Sequence, residues 1–116
     1  MKALSGQSKQ LDLLFQSLGD ATRRSLLERL GKGERCVTEL AAPLRISLNA
    51  VSKHIKILER AQLVLRRKQG REHYIKLNPK RFDHAQRWIA KQQAFWSEAM
   101  NSISDQLENE DQNDER

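Results

Sequence analysis

Asn49, Ser52, Lys53, His54 and Lys56 crowd into one short stretch, and at helical spacing all of them fall away from an apolar stripe of Leu48, Val51, Ile55 and Leu58. A short amide and a hydroxyl suit the donor and acceptor pattern of base edges, and ammonium groups suit phosphate. A second cluster follows, with Arg66, Arg67, Lys68 and Arg71 around Gly70. A third, smaller one is Arg23-Arg24. Groups for covalent or acid-base chemistry are scarce by comparison. His54, His73 and His84 fall on three different predicted elements, and no Gly-rich phosphate loop or nucleophile motif is present, so an enzyme is not expected. A single cysteine, Cys36, can form neither an internal disulfide nor a cysteine-rich zinc site.

These clusters need a scaffold, and a chain of 116 residues suits one domain with a real core. Its formal charge of +6 conceals an asymmetry, because residues 105–116 hold six acids and one base. Residues 1–104 therefore carry a net +11, which anticipates a polyanionic partner, nucleic acid first and an anionic membrane surface second. No apolar run approaches the roughly 18–20 residues of a membrane span, and no apolar stretch follows Lys2 as in a secretory signal. Cytoplasm is the default compartment, and no cofactor is expected.

Residues 1–9 are expected to be flexible. Leu11, Leu14, Phe15 and Leu18 then make one helical face, ended by Gly19. Asp20 reads as the N-cap of a second helix carrying Leu26, Leu27 and Leu30. A short third helix opens at Thr38 and is curtailed by Pro43. Ser47 caps the fourth, in which Leu48, Val51, Ile55 and Leu58 form the buried stripe. After Ala61 the period changes to two strands about a glycine turn. Asn78-Pro79 starts a long last helix bearing Phe82, Trp88, Phe95, Trp96, Ala99, Ile103 and Leu107. The acidic tail, 105–116, is expected to lose order beyond about residue 108.

Two short helices about a turn, the second polar on its outer face, are the layout of a helix-turn-helix, and a basic hairpin directly after makes it winged. The fold class is thus mainly α with a small β-hairpin, over residues 10–104. A major groove about 12 Å wide admits one helix, held from behind by its apolar stripe. Leu18-Gly19-Asp20-Ala21-Thr22-Arg23-Arg24, then Val51-Ser52-Lys53-His54-Ile55-Lys56-Ile57-Leu58, and Gly70-Arg71 before Tyr74 closely resemble the ArsR-type (ArsR/SmtB) winged-helix repressors of bacteria. Ala21 departs from the proline common at that position, at little cost while Asp20 caps. The resemblance implies a homodimeric repressor that recognises a specific operator.

Many such repressors sense metals. One family site pairs two cysteines one residue apart, and the matching stretch here is Cys36-Val37-Thr38, with Thr38 in place of the second thiolate. The other lies on the last helix as Asp, His, His and Glu. Counted from Asp83, its places hold Ala85, Trp96 and Ala99; counted one earlier, Phe82 and Phe95 occupy two of the places beside His84 and Glu98. The chain therefore resembles a branch of the family that senses no metal.

On the fourth helix, Ser47, Asn49, Ser52, Lys53, His54 and Lys56 are the candidate DNA contacts, with Asn49 and Ser52 for base edges and Lys53, His54 and Lys56 for phosphate; His54 also has the option of a bond within the domain. Arg66, Arg67, Lys68, Gly70 and Arg71 suit a DNA-touching wing, although charged edge strands also prevent aggregation, and Gly70 fits a positive φ. Arg23 and Arg24 suit phosphate or pairing on the helix surface. Leu11, Leu14, Phe15 and Leu18 with Trp88, Phe95, Trp96, Ala99 and Ile103 suggest a two-fold dimer interface, against the simpler reading of a monomer core. The alternatives are a ligand- or redox-gated sensor using Cys36 or a cavity under the last helix, and a protein-interaction module on a winged-helix scaffold. RNA binding is disfavoured, since Tyr74 alone offers a stacking surface near the basic clusters.

Overall fold

The computed structural model describes residues 6–114, with side chains over 8–111. Its elements are α1 (Gly6–Leu18), α2 (Ala21–Leu30), β1 (Arg35–Cys36), α3 (Val37–Ala41), α4 (Leu48–Arg60), β2 (Val64–Gln69), β3 (Glu72–Leu77) and α5 (Pro79–Asp114). The chain forms two compact units, residues 1–82 and 83–116, and α5 begins in the first and supplies the described part of the second.

The first unit is a winged helix-turn-helix. Leu26, Leu40, Val51, Ile55, Leu58, Leu63 and Ile75 are fully buried and form one core drawn from α2, α3, α4 and the sheet. α4 packs on α1, α2, α3 and β2. The sheet has the order β1-β3-β2 and is antiparallel throughout. Arg66 lies opposite Ile75, Arg67 opposite Tyr74 and Lys68 opposite His73. β1, only two residues long, escapes sequence inspection because so short a segment has no period to detect; it pairs Arg35 with Ile75 and Cys36 with Tyr74.

Local chemistry explains the boundaries. Asp20 Oδ1 accepts the Arg23 amide at 3.0 Å and caps α2, so Ala21 at the first helical position is tolerated as expected. Ser47 Oγ accepts the Ala50 amide at 3.1 Å and opens α4. α3 differs from expectation: it begins at Val37 with Cys36 as its cap, and Glu39 reaches back to the Cys36 amide at 3.4 Å. Pairing of Cys36 in β1 leaves the helix to start directly after it, one residue before Thr38. α4 ends in a left-handed residue, Gln62, with φ 61°, where Gln62 N–H donates to Glu59 O at 2.9 Å and Leu63 N–H to Leu58 O at 3.0 Å. This pair of bonds is a Schellman closure, usually built on glycine. Arg81, in the first turn of α5, donates from Nε to Ala61 O at 3.0 Å and seats that turn against the same corner.

Three expectations are corrected. Residues 6–9, assigned to a flexible N-terminus, are helical in α1, while residues 1–5 lie outside the described residues. α5 continues through the acidic segment to Asp114, since nothing after Pro79 breaks it: the sequence from there on has neither Gly nor Pro and is rich in Glu and Gln. Leu14, counted toward a dimer face, is fully buried within the protomer, whereas Phe15 beside it is exposed.

Because Gln62 holds a conformation that costs a residue with a Cβ roughly 1 kcal/mol, Gln62→Gly should stabilise the fold by about 0.5–1 kcal/mol. Denaturant unfolding measures it, and a loss of stability would show that the corner needs the glutamine side chain.

Candidate nucleic-acid interface

On α4 the buried ridge is Val51, Ile55 and Leu58. Asn49, Lys53 and Lys56 are exposed, and Ser52 is half-buried on the same outward side. Leu48 was expected in the ridge but is 52% exposed. In the first turn of α4 it instead borders the cleft between α4 and the hairpin. That cleft, about 350 Å³, is also lined by Thr38, Ser52, Lys56, Arg66, Arg71 and His73. Three cations, two hydroxyls and the Glu72 carboxylate therefore border a space between α3, α4 and the hairpin. The Nδ1 atom of His73 is buried and has no partner among the described residues.

Arg23, suited by sequence either to phosphate or to pairing on the helix surface, turns inward. Its Nε donates to Ser17 O at 2.8 Å, its Nη2 to Gln16 O at 3.1 Å, and its Nη1 lies 3.2 Å from His54 Nδ1. These carbonyls close the last turn of α1, where intrahelical donors run out. Arg24 Nη1 does the same for Leu18 O at 2.7 Å. His54 is drawn into the domain by this contact, with Asp20 Oδ1 3.9 Å from its Nδ1. Asp20 is held below the usual carboxylate range, first by the Arg23 amide, further by the charge of Arg23, and by that of His54 once its ring is protonated.

The hairpin turns at Gly70-Arg71, and Gly70 has the positive φ, 63°, that its sequence position suggests. Two of its arginines are already paired. Arg66 Nη2 meets Glu59 Oε1 at 2.6 Å, which fastens β2 to α4. Arg67 grips Glu34 through Nη2 at 2.6 Å and Nε at 3.1 Å, and its guanidinium lies 4.5 Å over the Tyr74 ring. This contact lowers the Glu34 carboxyl and raises Arg67, each chiefly through their mutual hydrogen bond. Lys68 and Arg71 are exposed. Glu34 and Glu59 carry no motif and were not anticipated. Tyr74 beneath Arg67 was in principle readable, since a two-residue turn at Gly70-Arg71 fixes that register.

Cys36 is buried, its Sγ donating to Glu39 Oε1 at 3.0 Å and lying 3.1 Å from Thr38 Oγ1. Glu39 is lowered mainly by that thiol and next by the Cys36 amide. Among the described residues no three of His, Cys, Asp or Glu gather as a metal site, and no helix is long and apolar enough to cross a membrane. In the second unit, α5 exposes Phe95, Trp96, Met100, Ile103 and Leu107, with Phe95 66% exposed.

Residues 18–67 match the model of a helix-turn-helix domain family. An HTH-type transcriptional regulator of Mycobacterium tuberculosis is 34% identical over 99 residues, which is 85% of this chain and 90% of the relative. An arsenical resistance operon repressor of Staphylococcus aureus is 34% identical over 70 residues, 60% of this chain and 67% of the repressor. Among solved structures, an ArsR family transcriptional regulator superposes with a TM-score of 0.75 at 36% identity, covering 81% of this chain and 97% of that one.

Asp20, Glu34 and Glu39 all have lowered carboxyls, so each stabilises the fold above the ordinary carboxylate range and loses that contribution as acidification passes its lowered value. Glu34→Gln removes one of the three, and acid unfolding followed by circular dichroism below about pH 5 should become less steep. An unchanged slope would mean that the Arg67 pair is too exposed to matter.

Proposed function

From its membership of the ArsR family of winged helix-turn-helix transcriptional regulators, DNA-binding proteins that are not enzymes, we propose that this chain acts as a homodimeric repressor on an inverted-repeat operator and senses no metal. The observation that carries the reading is α4 itself: a capped helix with a fully buried ridge behind and Asn49, Ser52, Lys53 and Lys56 in front.

Asn49 and Ser52 read base edges from the first turns of α4, where Ser47 and free amides also suit a phosphate. Lys53 and Lys56 flank them on the backbone. Lys68 and Arg71 extend the contact from the wing, while Arg66 and Arg67 hold the wing in shape through Glu59 and Glu34. The dimer reading is supported by the apolar residues that α5 leaves exposed, Trp88, Phe95, Trp96 and Ile103 with Ala99 between them, and by the exposed Phe15 and half-buried Leu11 and Leu18 of α1. A two-fold arrangement would set two copies of α4 about 34 Å apart, one turn of duplex. Thr38 beside Cys36, and Ala85, Trp96 and Ala99 after Asp83, support a repressor without metal control.

Gel-shift titration against the duplex upstream of its own gene tests the proposal. With six to ten phosphates neutralised, affinity should fall by about three to five decades between about 50 and 200 mM salt. Absent or salt-insensitive binding would refute it. Arg71→Ala should weaken all duplexes alike and reduce the salt slope by about one, whereas Asn49→Ala should cost about 1–3 kcal/mol on the operator alone. Equal effects of the two on operator and unrelated DNA would overturn this division of roles.

A further inference from the structure

We infer that His54 is a positioning residue and not a DNA contact: as a neutral acceptor for Arg23 it ties the middle of α4 to the corner between α1 and α2, and its protonation loosens that tie and weakens DNA binding. The inference rests on the DNA-binding reading of α4 and concerns how that helix is held.

A guanidinium has donors only, so the 3.2 Å approach of Arg23 Nη1 assigns His54 Nδ1 as the acceptor and leaves the ring proton on Nε2. The other arms of Arg23 are fixed on Ser17 O and Gln16 O. One arginine thus joins the end of α1, the start of α2 and the middle of α4. A proton on Nδ1 would face donor with donor and cation with cation. Its remaining partner is Asp20 Oδ1 at 3.9 Å, which already accepts the Arg23 amide as the cap of α2. Protonation therefore exchanges Arg23 for Asp20 and draws on that cap. Among the described residues, the charged groups within bonding reach of His54 are Asp20 at the corner and Arg23 on α2; α1 presents carbonyls held by Arg23, and no ion pair reaches His54 from α3 or β2. Imidazole is the side chain that changes charge between about pH 5 and 8.

The sign of the pH effect separates the roles, since a histidine on phosphate would tighten binding when acidified. Gel-shift titrations of the full chain with the duplex upstream of its own gene, between about pH 8 and about pH 5.5, would compare wild type with His54→Asn and His54→Ala. Asn supplies an oxygen acceptor near the Nδ1 position and does not titrate. Wild-type affinity should fall about tenfold relative to His54→Asn across that range, and His54→Ala should bind weakly and melt lower throughout. Tighter wild-type binding on acidification, or identical profiles for all three proteins, would overturn the inference. If no duplex binds at any pH, the DNA-binding reading itself fails. Nitrogen-15 spectra of the DNA-free protein then decide the tie alone: an unprotonated Nδ1 at about pH 8 supports it, and a protonated Nδ1 refutes it.

Discussion

Seating Val51, Ile55 and Leu58 against Leu26, Leu40, Leu63 and Ile75 is the constraint on which the interface depends. Each such side chain gains about 1.5–3 kcal/mol on burial, enough to fix the rotation of α4 about its axis. That rotation decides which residues face outward. Ser47 and Gln62 then set where the helix begins and ends, so that Asn49 and Ser52 occupy its first turns. Rotated by one residue, the same sequence would turn Ile55 toward solvent and bury Lys56 in its place without a partner.

Cations in the first unit divide into those that tie the fold together and those left exposed. Arg23, Arg24 and Arg29 are bonded to main-chain carbonyls at helix ends, and Arg66 and Arg67 are paired with Glu59 and Glu34. Guanidinium suits this work because its fork reaches two acceptors at once. Lys53, Lys56 and Lys68, with the tip residue Arg71, are exposed and form no ion pair among the described residues. The basic balance of the sequence thus overstates the number of groups available to a polyanion, because arginines that serve the architecture are counted with the rest.

Legibility in the sequence followed the range of the interaction. Caps at Asp20 and Ser47, the glycine turn and the ridge from Val51 to Leu58 are local in sequence, and each could be read from spacing. Leu48 could not: periodicity places it with Val51, but no element covers the first turn of α4, so it borders a cleft. The ties of Arg23 to His54 and of Arg67 to Glu34 span 31 and 33 residues, and nothing in either neighbourhood announces them. Leu14 and Phe15 adjoin on one apolar helix face, yet only the fold distinguishes the buried from the exposed member of the pair.

The distribution of aromatic rings has a practical corollary. Both tryptophans of the chain, Trp88 and Trp96, stand on α5 and are exposed, whereas its one tyrosine lies under Arg67 on the wing. Indole emission is therefore a built-in optical reporter of whatever shields the last helix. It stays blind to the buried centre of the winged unit, which contains no indole at all.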